Sequence, residues 1–63
     1  MKGTVTRIEH AHQRGEIRGE NGKLLLFVRE SLVLGRQFDD LQPGTPVTID
    51  VEGSRAINVR QAK

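Results

Sequence analysis

The stretch QRGEIRGENGKLLLFVRES, Gln13 to Ser31, has the pattern of a β-hairpin. Asn21-Gly22 lies near its middle, and Asn-Gly is a strong signal for a tight turn between two strands because both residues accept positive φ angles. We predict a strand at residues 16–18 before the turn and a strand at residues 23–29 after it. The two should pair across the turn, with residues 17 and 18 close to residues 24–26.

Three more short runs predict strands outside the hairpin. Val5 to Ile8 follows Thr4 and contains Thr6, and threonine favours extended backbone. Val47 to Val51 alternates apolar and polar residues without interruption. Ala56 to Arg60 follows the turn residues Gly53-Ser54. No window sustains a long helical period. Because five short strands with one apolar face each leave no exposed edges when they close up, we expect a single all-β domain over residues 1–63, a small five-stranded antiparallel barrel.

The alternation within these strands predicts which side chains form the core. Val5 and Ile8 are three residues apart, so both can face inward only if the first strand bends or carries a bulge between them. In the third strand we predict that Leu26 and Val28 point inward, which sends Phe27 outward. The full predicted core is Val5, Ile8, Ile17, Leu26, Val28, Val33, Leu41, Val47, Ile49, Val51 and Val59.

Composition and charge exclude some classes of protein and leave others open. The chain has no cysteine, which excludes a disulfide framework and fits a reducing compartment such as the cytoplasm. No signal peptide or membrane span is recognisable, so we expect a soluble protein. Net charge is +2, with +3 on residues 1–37 and −1 on residues 38–63, and seven of the ten cations are arginine. Such a surface fits a binding patch or an ordinary solvated one equally well.

Groups that perform catalysis are hard to find in the sequence. His10 and His12 resemble a metal pair, but they lack a convincing third ligand, and we expect no metal there. Ser31 and Ser54 lie at turns without an evident base, and no glycine-rich phosphate loop is present. We therefore expect no catalytic residue, no cofactor and no enzymatic activity.

From Gly3 to Arg60 the chain resembles the cold-shock domain, a five-stranded OB-fold barrel that binds single-stranded RNA or DNA. The matching residues are spread in order along the chain, and none of them is specific by itself. They are Gly3-Thr4-Val5, Gly15, Ile17, Leu26-Phe27-Val28, Ser31, Phe38, Leu41, Gly44, Val47, Ala56 and Asn58-Val59.

The chain departs from that family where the family stacks bases on aromatic rings. The resemblance places Arg7-Ile8 at the aromatic pair of the first strand, and it places Arg14 and Glu16 at the two rings of the second strand. In the third strand, Val-Phe-Val-His-Phe corresponds to Leu26-Phe27-Val28-Arg29-Glu30. Two rings of the platform remain, Phe27 and Phe38, although the pattern leaves Phe38 equally well in the core.

Two functions follow as alternatives. The first is weak, salt-dependent binding of single-stranded RNA or DNA, with phosphates held by arginines and bases stacked on the remaining rings. Its predicted site residues are Arg7, Arg14, Arg18, Phe27, Arg29 and Phe38. The second is a protein-interaction or structural barrel, possibly one domain of a longer protein, with little nucleic-acid binding. In either case we expect a monomer that does not bind a membrane.

Overall fold

The computed structural model describes residues 1–62, except for the side chain of Arg36. It contains five strands: β1 (Lys2–Glu9), β2 (Arg14–Gly19), β3 (Leu24–Val28), β4 (Pro46–Glu52) and β5 (Arg55–Gln61). Short 3₁₀ segments lie at His10–His12, Arg29–Ser31 and Gly35–Asp40. The strands close into a barrel in the order β1-β2-β3-β5-β4, which confirms the predicted small all-β, OB-like barrel.

Four of the five seams of the barrel are antiparallel, and the seam between β3 and β5 is parallel. At this parallel seam Leu26 is the Cα partner of Arg55, and the Leu26 N–H donates to the Ser54 carbonyl at an N···O distance of 3.1 Å. Further along, an isolated parallel bridge joins Leu32 to Val59. The β3–β5 seam is therefore joined at two separate points.

The predicted hairpin is present, but its turn is one residue longer than a two-residue Asn-Gly loop. The Gly19 N–H donates to the Lys23 carbonyl, and the Gly22 N–H donates to the Gly19 carbonyl, and both N···O distances are 2.9 Å. Gly22 has the positive φ of 85°, while Asn21 Oδ1 accepts a hydrogen bond from the Lys23 N–H at 3.1 Å. The loop thus consists of residues 20–22, the three-residue type in which a glycine closes the turn.

This loop length decides which face each residue of β3 presents. In the observed register Ile17 lies opposite Leu25 and Gly15 lies opposite Phe27. A two-residue loop would instead place Ile17 opposite Leu26. Because side chains alternate along a strand, a shift of one residue exchanges the two faces. The predicted orientation of β3 is therefore wrong: Phe27 points into the barrel, and Leu26 and Val28 point into solvent.

Gly15 provides the space that Phe27 occupies. A Cβ atom at Gly15 would lie 2.8 Å from Phe27 Cε1 and 2.5 Å from the Arg7 carbonyl oxygen. Atoms at these distances overlap, and the backbone oxygen cannot move away without disrupting β1. The absence of a side chain on β2 therefore allows the ring to fit inside the barrel.

The bulge expected in β1 is confirmed. Val5 lies opposite Ile17, and the register shifts between Val5 and Arg7, so that Ile8 lies opposite Gly15. Val5 is buried, and the partly buried Ile8 packs against the core. The extra residue lets the strand curve around the barrel while it keeps apolar side chains on the inner side.

The core contains most of the predicted residues together with several that were not predicted. Its members are Val5, Ile17, Leu25, Phe27, Leu32, Phe38, Leu41, Val47, Ile49, Ala56 and Val59. Val33 and Val51, which we predicted as core, are exposed. Val33 follows the buried Leu32 in the connection after β3, and Val51 lies near the β4–β5 turn.

The observed orientation of β3 and the opposite one differ in which of two neighbouring substitutions destabilises the fold more. Phe27→Ala should lower the free energy of unfolding by about 3–5 kcal/mol, because it empties a packed site. Leu26→Ala should change it by less than about 1 kcal/mol, because that side chain faces solvent. Urea unfolding followed by circular dichroism measures both.

If Phe27→Ala does not fold, Phe27→Leu supplies a measurable loss while it keeps much of the side-chain volume. A larger loss for Leu26→Ala than for either Phe27 variant would show that β3 has the opposite orientation.

Candidate binding face

The outer surface of β1, β2 and β3 presents a regular array of side chains, which we call the outer face. Cross-strand pairing arranges it in three rows that run from β1 to β3. The rows are Thr4, Arg18 and Leu24; Arg7, Glu16 and Leu26; and Glu9, Arg14 and Val28. Each row contains one arginine and ends on β3 with an aliphatic residue.

Leu24, Leu26 and Val28 form an aliphatic stripe along β3. Their exposed fractions are 54%, 57% and 45%, although all three are large apolar residues. Residues two apart on a strand are separated by roughly 7 Å, so the three side chains are neighbours on one surface. Single exposed apolar residues are common in proteins, but a contiguous group is typical of a surface that binds something.

Charged residues of both signs lie beside the stripe. Arg14 Nε donates to Glu9 Oε1 at 3.2 Å, and both side chains are substantially exposed. An exposed pair of this kind contributes at most about 1 kcal/mol. Arg7 lies opposite Glu16, and Arg18 lies opposite Thr4. The arginines of the outer face therefore alternate with carboxylates and do not form a continuous basic patch.

A shallow groove of about 270 Å³ borders the stripe on its other side, above the β3–β5 seam. Val28 and Ser31 line it from the β3 side, where Ser31 Oγ accepts a hydrogen bond from the Val28 N–H at 3.2 Å. Arg55, Glu52 and Ile57 line it from the other side. The groove extends the outer face across Leu26 onto β5.

Arg7, Arg14 and Arg18 lie on the outer face, as predicted for the binding site. Arg29 does not, because the register shift of β3 moves it away from this surface. Its N–H donates to the Gln13 carbonyl at 3.0 Å, and its side chain lies beside Gly35, where a Cβ atom would be 3.6 Å from Arg29 Nε. Three of the four predicted arginines thus share the outer face, and Arg29 lies apart from them.

The two phenylalanines lie inside the barrel and not on the outer face. Phe27 is 2% exposed and Phe38 is fully buried, and their ring centroids are 6.0 Å apart. The ring of His10 packs edge-on against Phe38 at 5.7 Å. The predicted exposed position of Phe27 is therefore wrong, while Phe38 takes the core position that the sequence left open as an alternative. Neither ring has a free surface on which a base could stack.

The aliphatic stripe was missed at the level of sequence, although a signal for it exists. Residues 24–28 read Leu-Leu-Leu-Phe-Val, five apolar residues in succession. A strand of a small barrel has one inner face, so either orientation leaves two or three of these side chains outside. The uninterrupted run therefore predicts an exposed apolar line on β3 whichever register is adopted.

The chain matches no protein-family model and no curated protein. Within residues 1–62, no group of three histidine, aspartate or glutamate side chains is placed to hold a metal ion. In the same part of the chain, no helix has the length and hydrophobicity needed to cross a membrane.

The exposure of the stripe can be measured against a control within the same strand. In a dilute sample, a soluble paramagnetic agent should strongly attenuate the methyl NMR signals of Leu24, Leu26 and Val28, because it can approach them from solvent. It should leave the methyl signals of Leu25 close to those of other core residues, because Leu25 is 2% exposed. Stronger attenuation at Leu25 than at Leu26 would contradict the described face.

Proposed function

We propose that the barrel is a protein-interaction module that contacts its partner through the outer face. The observation that carries the proposal is the aliphatic stripe, which leaves Leu24, Leu26 and Val28 about half exposed in one line. Complete burial of such a side chain contributes about 1.5–3 kcal/mol, and covering these partly exposed residues supplies a fraction of that for each. A partner that covers all three gains a favourable apolar contact.

The surroundings of the stripe also fit a protein partner. Interfaces between proteins commonly have an apolar centre and a polar rim, with arginine enriched among their residues. Leu26 lies at the centre of the aliphatic stripe, between Glu16 on β2 and Arg55 on β5. Arg14 and Arg18 lie near the two ends of the stripe. These charges can orient a partner without having to be buried.

Binding of single-stranded nucleic acid is the second candidate, and Arg7, Arg14 and Arg18 favour it. Strands 2 and 3 of OB barrels commonly form the surface that binds oligonucleotides, and these arginines lie on or beside them. The resemblance to the cold-shock domain supports the same candidate and remains a prediction.

Two features make nucleic-acid binding the weaker candidate. Base stacking contributes roughly 1–3 kcal/mol per base in proteins that use it, and both phenylalanines of this chain are inside. Glu9 and Glu16 stand among the arginines and repel phosphates. On our proposal, the chain is a cold-shock-like barrel in which an aliphatic surface replaces the stacking platform.

Titration with labelled oligothymidine and oligouridine separates the two candidates. On the proposal, the dissociation constant at physiological salt is weaker than about 10⁻⁴ M, the weak end of charge-driven binding. The nucleic-acid candidate predicts instead a micromolar constant whose salt slope falls by about 0.7 when Arg7→Gln or Arg14→Gln removes one phosphate contact. That second result would overturn the proposal.

Capture of proteins from a lysate supplies the positive test. The immobilised parent and Thr48→Glu should retain the same protein, because Thr48 is an exposed residue of β4, a strand that does not adjoin β3. Leu26→Glu should lose it, since a charge then stands at the centre of the stripe. Equal capture by Leu26→Glu and Thr48→Glu would show that the outer face is not the contact surface.

A further inference from the structure

At Leu26, the middle residue of the aliphatic stripe, the charges on the two sides have opposite sign. On β2, Glu16 is the cross-strand partner of Leu26, and on β5, Arg55 is the Cα partner of the same residue. Leu26 therefore lies between a carboxylate and a guanidinium in a single row. Across β3 the order is therefore acid, leucine, base.

We propose that the partner of the outer face is a second copy of this chain, an inference that rests on the proposed function. A two-fold axis parallel to β3 and passing beside Leu26 exchanges the two sides of the stripe. It places the stripe of one copy on the stripe of the other. It also brings Glu16 of each copy to Arg55 of the partner subunit, so that the contact is self-complementary, as a two-fold interface requires.

The charge balance of this surface favours a copy of itself over a strongly charged partner. The outer face and the groove carry four arginines (Arg7, Arg14, Arg18 and Arg55) and three glutamates (Glu9, Glu16 and Glu52). An acidic peptide would meet the glutamates, and a basic peptide would meet the arginines. A surface with both signs in the same rows avoids both conflicts, and the chain itself presents such a surface.

The size of the barrel limits the strength of the dimer. Standard interfaces bury about 800 Å² on each partner, which is about a fifth of the 4277 Å² surface of this barrel. Because the barrel measures only 27 × 24 × 18 Å, the contact lies at the small end of interface sizes. We therefore expect a reversible dimer with a dissociation constant of roughly 10⁻⁵ to 10⁻³ M.

Sedimentation equilibrium between about 2 μM and about 2 mM, a range that brackets this constant, tests the proposal. The weight-average mass of the parent should rise from near 7.0 kDa towards twice that value. Leu26→Glu should stay monomeric throughout, while Thr48→Glu should associate like the parent. Circular dichroism of each variant confirms that it is folded.

A charge exchange tests the two-fold arrangement itself. Glu16→Arg alone and Arg55→Glu alone should each weaken the dimer by about tenfold, since each replaces two attractive contacts by two repulsive ones. The double variant Glu16→Arg/Arg55→Glu should recover most of the parent affinity because the pairs are restored with their signs exchanged. Recovery of this kind is not expected if either residue acts only on the stability of its own barrel.

A monomeric mass for the parent at every concentration would overturn the second copy as partner. So would a dimer that is insensitive to Leu26→Glu, or one that the charge exchange does not restore. None of these results would by itself overturn the proposed function. Capture of a different protein through Leu26 would still support the interaction module, even if the chain does not dimerise. Failure of both capture and dimerisation would overturn the two together.

Discussion

The three-residue loop at Glu20–Gly22 is the constraint on which the rest of the barrel depends. By closing the hairpin between Gly19 and Lys23, it sets β3 one residue out of step with the register of a two-residue loop. The inner positions of β3 then receive Leu25 and Phe27. The core and the outer face are consequences of the same loop, because each residue that leaves one surface enters the other.

The orientation of β3 also connects stability to function. A domain of 63 residues buries a smaller fraction of its unfolded surface than larger domains do and is marginally stable, so each large apolar side chain in the core matters. The chain has two phenylalanines and neither tyrosine nor tryptophan, and both phenylalanines pack inside the barrel. The two rings thus stabilise the core and are not present on the surface. The outer face of β3 carries aliphatic side chains in their place.

Much of the architecture could be predicted from local patterns. Asn21-Gly22 predicted the hairpin, the alternation in residues 47–51 predicted β4, and the spacing of Val5 and Ile8 predicted the bulge in β1. Each of these signals is a contrast, either between apolar and polar positions or between ordinary and turn-forming residues. Five strands with one apolar face each then favoured closure into a barrel.

The orientation of β3 could not be predicted in the same way. Residues 24–28 are apolar at every position, so no alternation indicates which set faces the core. The choice depends on whether the loop has two or three residues, and Asn-Gly is compatible with both. It also depends on Gly15 leaving space for a ring opposite it, which is a contact between strands and not a local pattern. The predicted roles of Phe27 and Arg29 changed with that single choice.

The most direct test of this account is the register of the β2–β3 hairpin, measured by nuclear Overhauser contacts between Hα protons. The account predicts strong Hα–Hα contacts between Glu16 and Leu26 and between Arg14 and Val28, which are opposite each other in the observed pairing. Contacts between Ile17 and Leu26, or between Gly15 and Val28, would instead indicate a two-residue loop. That result would return Phe27 to the outer surface and contradict the account of both the core and the binding face.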